Sequence, residues 1–343
     1  MKIGVIGLGS MGKRRVRDLL KIGCEVVGFD ISPERRNETH GLFGIKVYAS
    51  IDDFIECGID AAVISTPTDT HYDYYCQCFD RGINFFSEAN IFTPKPEWFI
   101  QKEKESGAKS FPSATWDFHP IFQLTKKIVE EIGYKNVNTV HYHYGGYLPL
   151  WHPWESYANY YAGHKKTSAA REMVPFELEW LCYVFGKIKA VSAIIGKMST
   201  WDTDMDDTYL LQLEFESGLY GTLNIELHQT APFRYGRISC YKASLELDML
   251  KPEIKYYDLV TNSWKYIQMP GVKVMSSFNL EDIYASEMEN FFNALKGKAK
   301  YIKTWDEDRH LSDVLYAAEL SFKKKCWVTI KDIKDKYDGL TWD

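Results

Sequence analysis

Six residues into the chain, an apolar run closes on Gly7-Leu8-Gly9-Ser10-Met11-Gly12, and a helical pattern opens directly behind it. Lys2 to Ile6 reads as a short buried strand. From Lys13 the sequence puts Val16, Leu19 and Leu20 at i, i+3 and i+4, the spacing of one helix face. A second strand, Glu25 to Phe29, ends in Asp30. A Gly-x-Gly-x-x-Gly loop in that setting has one well-defined use. Gly7 permits the tight turn, Gly9 lets the backbone approach a pyrophosphate, and Gly12 lets the helix pack closely on the strand. The helix start offers its unpaired N–H groups to the phosphates. Asp30, 18 residues after Gly12 and followed by Ile31, is placed to accept hydrogen bonds from the adenosine ribose. An acid there disfavours a 2′-phosphate and points to NAD. Arg35 and Arg36 follow closely, and an arginine can stack on adenine or neutralise a 2′-phosphate, which keeps NADP open.

The 343 residues suit two domains, with 45% hydrophobic and 26% charged residues, as in a soluble globular protein. No stretch approaches the roughly 20 apolar residues of a membrane span, so no membrane partner is expected. The strand and glycine loop begin at once, leaving no room for a signal peptide. A net charge of −6 with no basic block argues against nucleic acid. The seven cysteines are odd in number and scattered, without zinc spacing, and read as reduced thiols of a cytoplasmic protein. Asp204, Asp206 and Asp207 look like a turn, and no metal site is expected.

Strand and helix patterns alternate as far as Phe118. Asp60 to Ser65 is a continuous apolar strand, and Thr66-Pro67-Thr68 turns out of it. Helix, strand, helix and strand follow to Ser113. This predicts a doubly wound parallel sheet over residues 1–118, its ligand crevice at the strand carboxyl ends. Those ends carry the glycine loop, Asp30, Ser65 to His71, and Glu88 to Asn90. From His119 the character changes. After one helix and a strand from Asn138 to Tyr147 comes an aromatic stretch, Leu148 to Lys166. A helix from Arg171 to Phe185 and a series of period-two strands follow, including Tyr220 to Gln229 and Arg234 to Cys240, with turns at Gly218 and Lys242-Ala243. Two helices, Ile283 to Leu295 and Asp308 to Phe322, close the pattern. Residues 119–343 are expected to form an α+β domain with a mostly antiparallel open sheet. Overall the fold class is α/β.

Three features together, Gly7 to Gly12 with Asp30, then Ile64-Ser65-Thr66-Pro67-Thr68-Asp69-Thr70-His71, then Phe118-His119-Pro120, give a resemblance to a known family over most of the chain. The sequence resembles the glucose-fructose oxidoreductase / inositol dehydrogenase (Gfo/Idh/MocA) group of NAD(P)-dependent sugar oxidoreductases. The resemblance implies that the Thr-Pro turn with its histidine looks onto the nicotinamide ribose. Ser65, Thr66, Pro67, His71, Glu88 and Ala89 thereby join the cofactor positions. It also implies a substrate pocket in the second domain and a homodimer or homotetramer contact through the open sheet. Departures are equally specific. The family's Glu-Lys-Pro, whose lysine sits between nicotinamide and substrate, is Glu88-Ala89-Asn90 here. Its helical Asp, His and Asp correspond to Glu172, Phe176 and Glu179, and the arginine before Phe-His-Pro is Asp117.

Hydride transfer from a carbinol needs a base for the hydroxyl proton. Candidates lie in the densest titratable stretch: His152-Pro153-Trp154-Glu155-Ser156-Tyr157, Tyr160, Tyr161, His164, Lys165, Lys166, Arg171 and Glu172. Lys165 or Lys166 is placed to replace the lost lysine, Arg171 to clamp a carboxylate or phosphate, and Glu172 to orient and deprotonate substrate; His119 and Tyr157 are further candidates. The expectation is hydride transfer between NAD(P) and a carbinol carbon of a sugar, sugar acid or nucleotide sugar. Its rivals are an NAD-dependent epimerase or lyase without net redox, and a catalytically silent NAD- or sugar-binding protein.

Overall fold

The computed structural model describes residues 1–151, 156–158, 161–251, 253–268 and 281–334. Its first part runs β1 (Lys2–Ile6), α1 (Ser10–Lys21), β2 (Glu25–Phe29), α2 (Pro33–Phe43), β3 (Lys46–Tyr48), α3 (Ile51–Glu56), β4 (Ala61–Ile64), α4 (His71–Asp80), β5 (Asn84–Ser87), α5 (Pro96–Ser106) and β6 (Ser110–Pro112). The helix starts follow local chemistry. Ser32 and Ser50 each accept a hydrogen bond from the backbone N–H three residues on, and Pro33 needs no N–H at the first helical position. All six strands are parallel in the order β3-β2-β1-β4-β5-β6. β1 and β4 are buried almost throughout because helices cover both faces. The strand order reverses between β1 and β4, which puts the Gly7 loop and the Thr66 turn on either side of one crevice.

The second part runs α6 (Pro120–Ile132), β7 (Val137–Tyr147), α7 (Ala169–Phe185), β8 (Ile188–Gly196), β9 (Thr208–Phe215), β10 (Tyr220–Glu226), β11 (His228–Cys240), β12 (Ala243–Asp248), β13 (Glu253–Asp258), β14 (Ser263–Gln268), α8 (Glu281–Leu295), α9 (Trp305–Lys324), β15 (Val328–Thr329) and α10 (Ile330–Lys334). The sheet order is β14-β13-β12-β11-β7-β10-β9-β8-β15, antiparallel except where β7 and β10 run parallel. Burial alternates along β10 and β12, so one face packs on helices and the other stays open, with Tyr220 and Tyr266 among its exposed residues. Gly218 and Lys242 both take the left-handed backbone that turns β9 into β10 and β11 into β12.

Two strand limits differ from the sequence pattern. The strand drawn from Tyr220 to Gln229 ends at Glu226, because the Leu227 N–H leaves the ladder for the Asp207 carbonyl, and β11 starts early, at His228. The short β15, which pairs with Val191 and Ala190, carries no alternation long enough to read.

The last helices tie the two sheets together. Met288, Phe291 and Ala294 of α8, with Tyr301, join Ile3, Val5, Val16 and Leu19 on one face of the first sheet. Trp305 joins Tyr75, Phe85 and Phe99 on the other face, stacking on Phe99 at 3.7 Å. The rest of α9 packs with α7 beneath the second sheet. Residues from 281 onward therefore bury side chains in both cores. Among the described residues no helix is long and apolar enough to cross a membrane, and no group of three or more His, Cys, Asp or Glu is arranged to hold a metal ion.

Candidate active site

The Gly7 loop is shaped by steric exclusion at two glycines and by open space at the third. Gly7 has φ +90°, and a Cβ there would lie 2.7 Å from the Ser65 carbonyl oxygen. A Cβ on Gly12 would collide with the Gly7 carbonyl oxygen. Above Gly9 the nearest atom is Arg35 Nη1 at 4.0 Å. Gly9 caps α1 with no side-chain hydrogen bond, and the first turn, Ser10-Met11-Gly12, holds no acid, so its N–H groups suit an anion. Asp30 holds this loop: Oδ2 accepts from Leu8 N at 2.7 Å and Oδ1 from Ser32 N at 2.8 Å. Arg35 is half exposed with Nη1 3.9 Å from Asp30 Oδ2, while Arg36 donates to the Asp30 and Ile31 carbonyls. Ile31 is exposed at the rim. A groove of about 530 Å³ runs from Gly9 and Ser10 past Arg35 to Glu281.

Across the switch point, His71 is fully buried. Nε2 donates to the Thr66 carbonyl at 2.8 Å, leaving Nδ1 to accept from Ser87 Oγ at 3.3 Å, and burial lowers its pKa to about 4. Neutral at all ordinary pH, it pins the Ser65-Thr66-Pro67 turn to the end of β5. Glu88 at that end receives a fork of two bonds from buried Arg15, at 2.5 and 2.8 Å. Arg15 also bonds Glu287 of α8 at 2.6 Å, and Glu287 accepts from Ala114 N and Ser113 Oγ. Burial pushes the Glu88 carboxyl up and Arg15 opposes it. Ala89, half-buried, brings no ammonium to this place.

The opposite wall begins where Ser168 caps α7 by accepting from Arg171 N. Arg171 turns inward: Nε and Nη2 bond Glu319 at 2.6 and 3.2 Å, Nη1 bonds the Lys166 carbonyl at 2.8 Å, and the guanidinium lies over Phe92 and Tyr316. The carboxylate it clamps is thus Glu319, and its fixed position orients the Lys166 segment. Lys166 reaches across to the first sheet, with Nζ 3.8 Å from Asp69 Oδ2 and 5.3 Å from the centre of Phe92. Lys165 belongs to a different set of contacts: its backbone N–H bonds Asp204 and its ammonium lies within electrostatic reach of Asp206. Glu172 is partly buried, bonded to Tyr161 and within electrostatic reach of Glu88. Burial raises its pKa to about 7, Tyr161 acting against the rise and Glu88 adding to it. The structure therefore sets Glu172 within electrostatic reach of Glu88, and Lys166 beside Asp69 beyond the end of β4. His119 is buried as the cap of α6, Nδ1 accepting from Ile121 N, its pKa lowered to about 3 by burial and the Arg234 cation. Tyr157 packs on Trp201. His152 to Glu155 and Tyr160 lie outside the described residues.

Residues 1–99 match the family described as an oxidoreductase family with an NAD-binding Rossmann fold, and residues 122–246 match the C-terminal domain of the same Gfo/Idh/MocA family. The chain belongs to the Gfo/Idh/MocA oxidoreductases. Its first part is an NAD-binding Rossmann fold. No curated protein matches the sequence. Solved structures share the fold over nearly their whole length. Levoglucosan dehydrogenase in complex with NADH is 16% identical, with 96% of this chain and 99% of that one covered and a TM-score of 0.81. An oxidoreductase from Agrobacterium radiobacter, solved with NAD+, L-tartaric acid and magnesium, is 12% identical, covering 97% and 99% at a TM-score of 0.82. GenD2 from gentamicin A biosynthesis, in complex with NAD, is 17% identical, covering 96% of each chain at 0.78.

Several charged residues of this Gfo/Idh/MocA chain escape the sequence reading. Arg15 sits on the apolar side of α1, four residues before Leu19, and that misplaced charge is the one signal of its buried role. Lys303 donates to Glu179 Oε2 and the Ser113 carbonyl, both at 2.8 Å, and also faces Asp308. Arg234 of β11 is buried against Glu177 of α7. Neither Lys303 nor Arg234 belongs to any local motif.

Proposed function

We propose that this oxidoreductase is an NAD-dependent dehydrogenase that moves a hydride between the nicotinamide and a carbinol carbon of a sugar, sugar acid or nucleotide sugar. The observation that carries the reading is Glu172: a carboxyl with a pKa of about 7, at the first turn of α7, facing the strand ends where Glu88 lies. The donor set fits the cofactor. Open space over Gly9 and the uncapped start of α1 suit a pyrophosphate, and the Asp30 carboxylate at the crevice edge suits ribose hydroxyls. The cofactor positions are Gly7, Leu8, Gly9, Ser10, Met11, Gly12, Asp30, Ile31 and Arg35, with Ser65, Thr66, Pro67, Glu88 and Ala89 across the switch point. His71 supports the Thr66 turn from behind. NAD, when bound, supplies the hydride acceptor.

The chain's own groups supply the proton chemistry. Glu172 in its ionised form takes the hydroxyl proton as the carbinol is oxidised and returns it in the reverse direction; a base tuned near neutrality suits both. Lys166 stands in for the lysine absent at position 89, its ammonium holding the reacting hydroxyl. Arg171 keeps the Lys166 carbonyl in place. Residues 1–118 would thus serve the cofactor and 119–343 the substrate. The exposed Tyr220, Tyr266 and Ile194 on the open sheet face favour a homodimer or homotetramer, and seven free cysteines suit the reducing cytoplasm.

The test is NADH formation, followed by absorbance, across a panel of sugars, sugar acids and nucleotide sugars. Sugar oxidation should rise with pH through about 7, since the carboxyl is active only when ionised. Bound NAD with product formed but no net NADH would replace this reading with an epimerase or lyase.

A further inference from the structure

The second wall holds a cation whose bonding is incomplete. Arg234 is 4% exposed, and its nearest anion is Glu177, with Nη2 3.0 Å from Oε1. Glu177 is shared, because Oε2 accepts from the Tyr142 hydroxyl at 2.9 Å. The guanidinium plane lies over the ring of Tyr144, its register partner on β7, at 4.4 Å, and over Trp116 at 5.1 Å. Its Nε–H has no hydrogen-bond acceptor among the described residues. Buried arginines ordinarily satisfy their fork, as Arg15 and Arg171 do in this protein, so a donor left without an acceptor marks a place for one.

Packed side chains connect this cation to the helix that carries Glu172. Trp116 packs on Phe176, at 5.1 Å between ring centres, and Phe176 lies one helical turn beyond Glu172 on α7. Tyr284 lies over Arg15 and is within electrostatic reach of both Glu88 and Arg234. The ladder between β11 and β7 slips between His228 and Phe233, immediately before Arg234, as strands do where a side chain is re-aimed toward a site.

We propose that Arg234 receives the carboxylate of the substrate, so that within the dehydrogenase reading above, on which this rests, the preferred substrate is a sugar acid rather than a neutral sugar. Arg234 is donor-only, and a planar carboxylate suits a guanidinium edge. Glu177 reaches the guanidinium through Oε1, which leaves the Nε–H for one more acceptor; a carboxylate brings a single negative charge beside Glu177, whereas a phosphate dianion brings more and would need additional cations. Glu177, held by Tyr142, is the positioning residue that fixes the guanidinium between its two rings.

The test is calorimetric titration of the NADH-loaded protein with sodium D-gluconate, D-glucuronate and D-galacturonate, each against its neutral parent sugar, and with D-glucose 6-phosphate. At least one acid is expected to bind about 10- to 100-fold more tightly than its parent, the range of a charge-assisted bond. The preference should vanish in Arg234→Met and persist in weakened form in Arg234→Lys. Because Arg234→Met leaves Glu177 buried without its cation, the pair Arg234→Met with Glu177→Met is measured alongside, and an NADH titration checks that its first sheet is intact. Equal binding of all three acids and their parents overturns the proposal, as does tighter binding of glucose 6-phosphate or a preference that survives in the double variant. Arg234-dependent acid binding without NADH turnover would count against the dehydrogenase reading alone; turnover of neutral sugars with no acid preference would count against Arg234 alone.

Discussion

On the wall formed by α1, β5 and α8, Arg15 meets Glu88 with two donors and Glu287 with a third, and Glu287 accepts backbone and hydroxyl bonds besides. On the facing wall of α7 and β11, Glu172 has Tyr161 for a partner and a raised pKa, and Arg234 keeps an N–H without an acceptor among the described residues. Both walls bury charge, yet one bonds it internally and the other leaves groups poised for something outside the chain. Buried charge alone therefore does not mark chemistry. Incomplete pairing does, because a group already bonded on every side has nothing left for a substrate.

The sharpest way to break that contrast is to disturb the satisfied wall. Arg15→Met leaves Glu88 and Glu287 buried without their cation, and should lower unfolding stability by about 3–5 kcal/mol, read from the denaturant midpoint. A change below about 1 kcal/mol would mean that the network is no firmer than a surface pair. By contrast, Glu172→Gln should leave the fold intact and cut kcat by about 10²–10⁴-fold, the usual contribution of a general base. It should also abolish the rise in rate through pH 7.

The sign of the stability effect follows from the direction of the shift. A folded pKa of about 7 against an ordinary value of 4.5 means that the folded state holds the proton more tightly than the unfolded one. The resulting penalty is absent below about pH 4.5, grows up to about 7 and is complete above it, reaching roughly 3 kcal/mol at most. Glu172→Gln lacks that penalty, so it should match the parent in thermal stability at pH 4 and exceed it at pH 8. An equal difference at both pH values would remove the case for a poised carboxyl.

The contrast between the walls also bears on how much the sequence could disclose. The glycine loop, Asp30 and the strand–helix alternation are local: each is decided by residues a few positions apart, and the open space at Gly9 and crowding at Gly12 are what their spacing implies. Glu172 was reachable because it opens a helix whose place in the chain matches a family pattern. Arg15 and Arg234 were not. Arg15 finds its acids 73 and 272 residues away, and Arg234 follows directly on a register slip of β11. Helix periodicity reports which face is buried, and says nothing of what distant carboxylate waits there.

Lys165 and Lys166 reduce the comparison to neighbouring residues of one type, indistinguishable by sequence. The structure sends Lys166 toward Asp69 at the carboxyl end of the first sheet, and leaves Lys165 exposed beside Asp204. If Lys166 holds the reacting hydroxyl, Lys166→Met should lower kcat/KM by about tenfold, the value of one charge-assisted hydrogen bond. Its ion pair with Asp69 is half exposed, so stability should change by less than about 1 kcal/mol. Lys165→Met, with nothing in the crevice to lose, should alter kcat/KM by less than about twofold, within the scatter of an exposed charge. Equal losses in the two variants would trace the effect to the net positive charge of the segment instead of to the reach of one ammonium, and would return the role of the missing lysine to Glu172 alone.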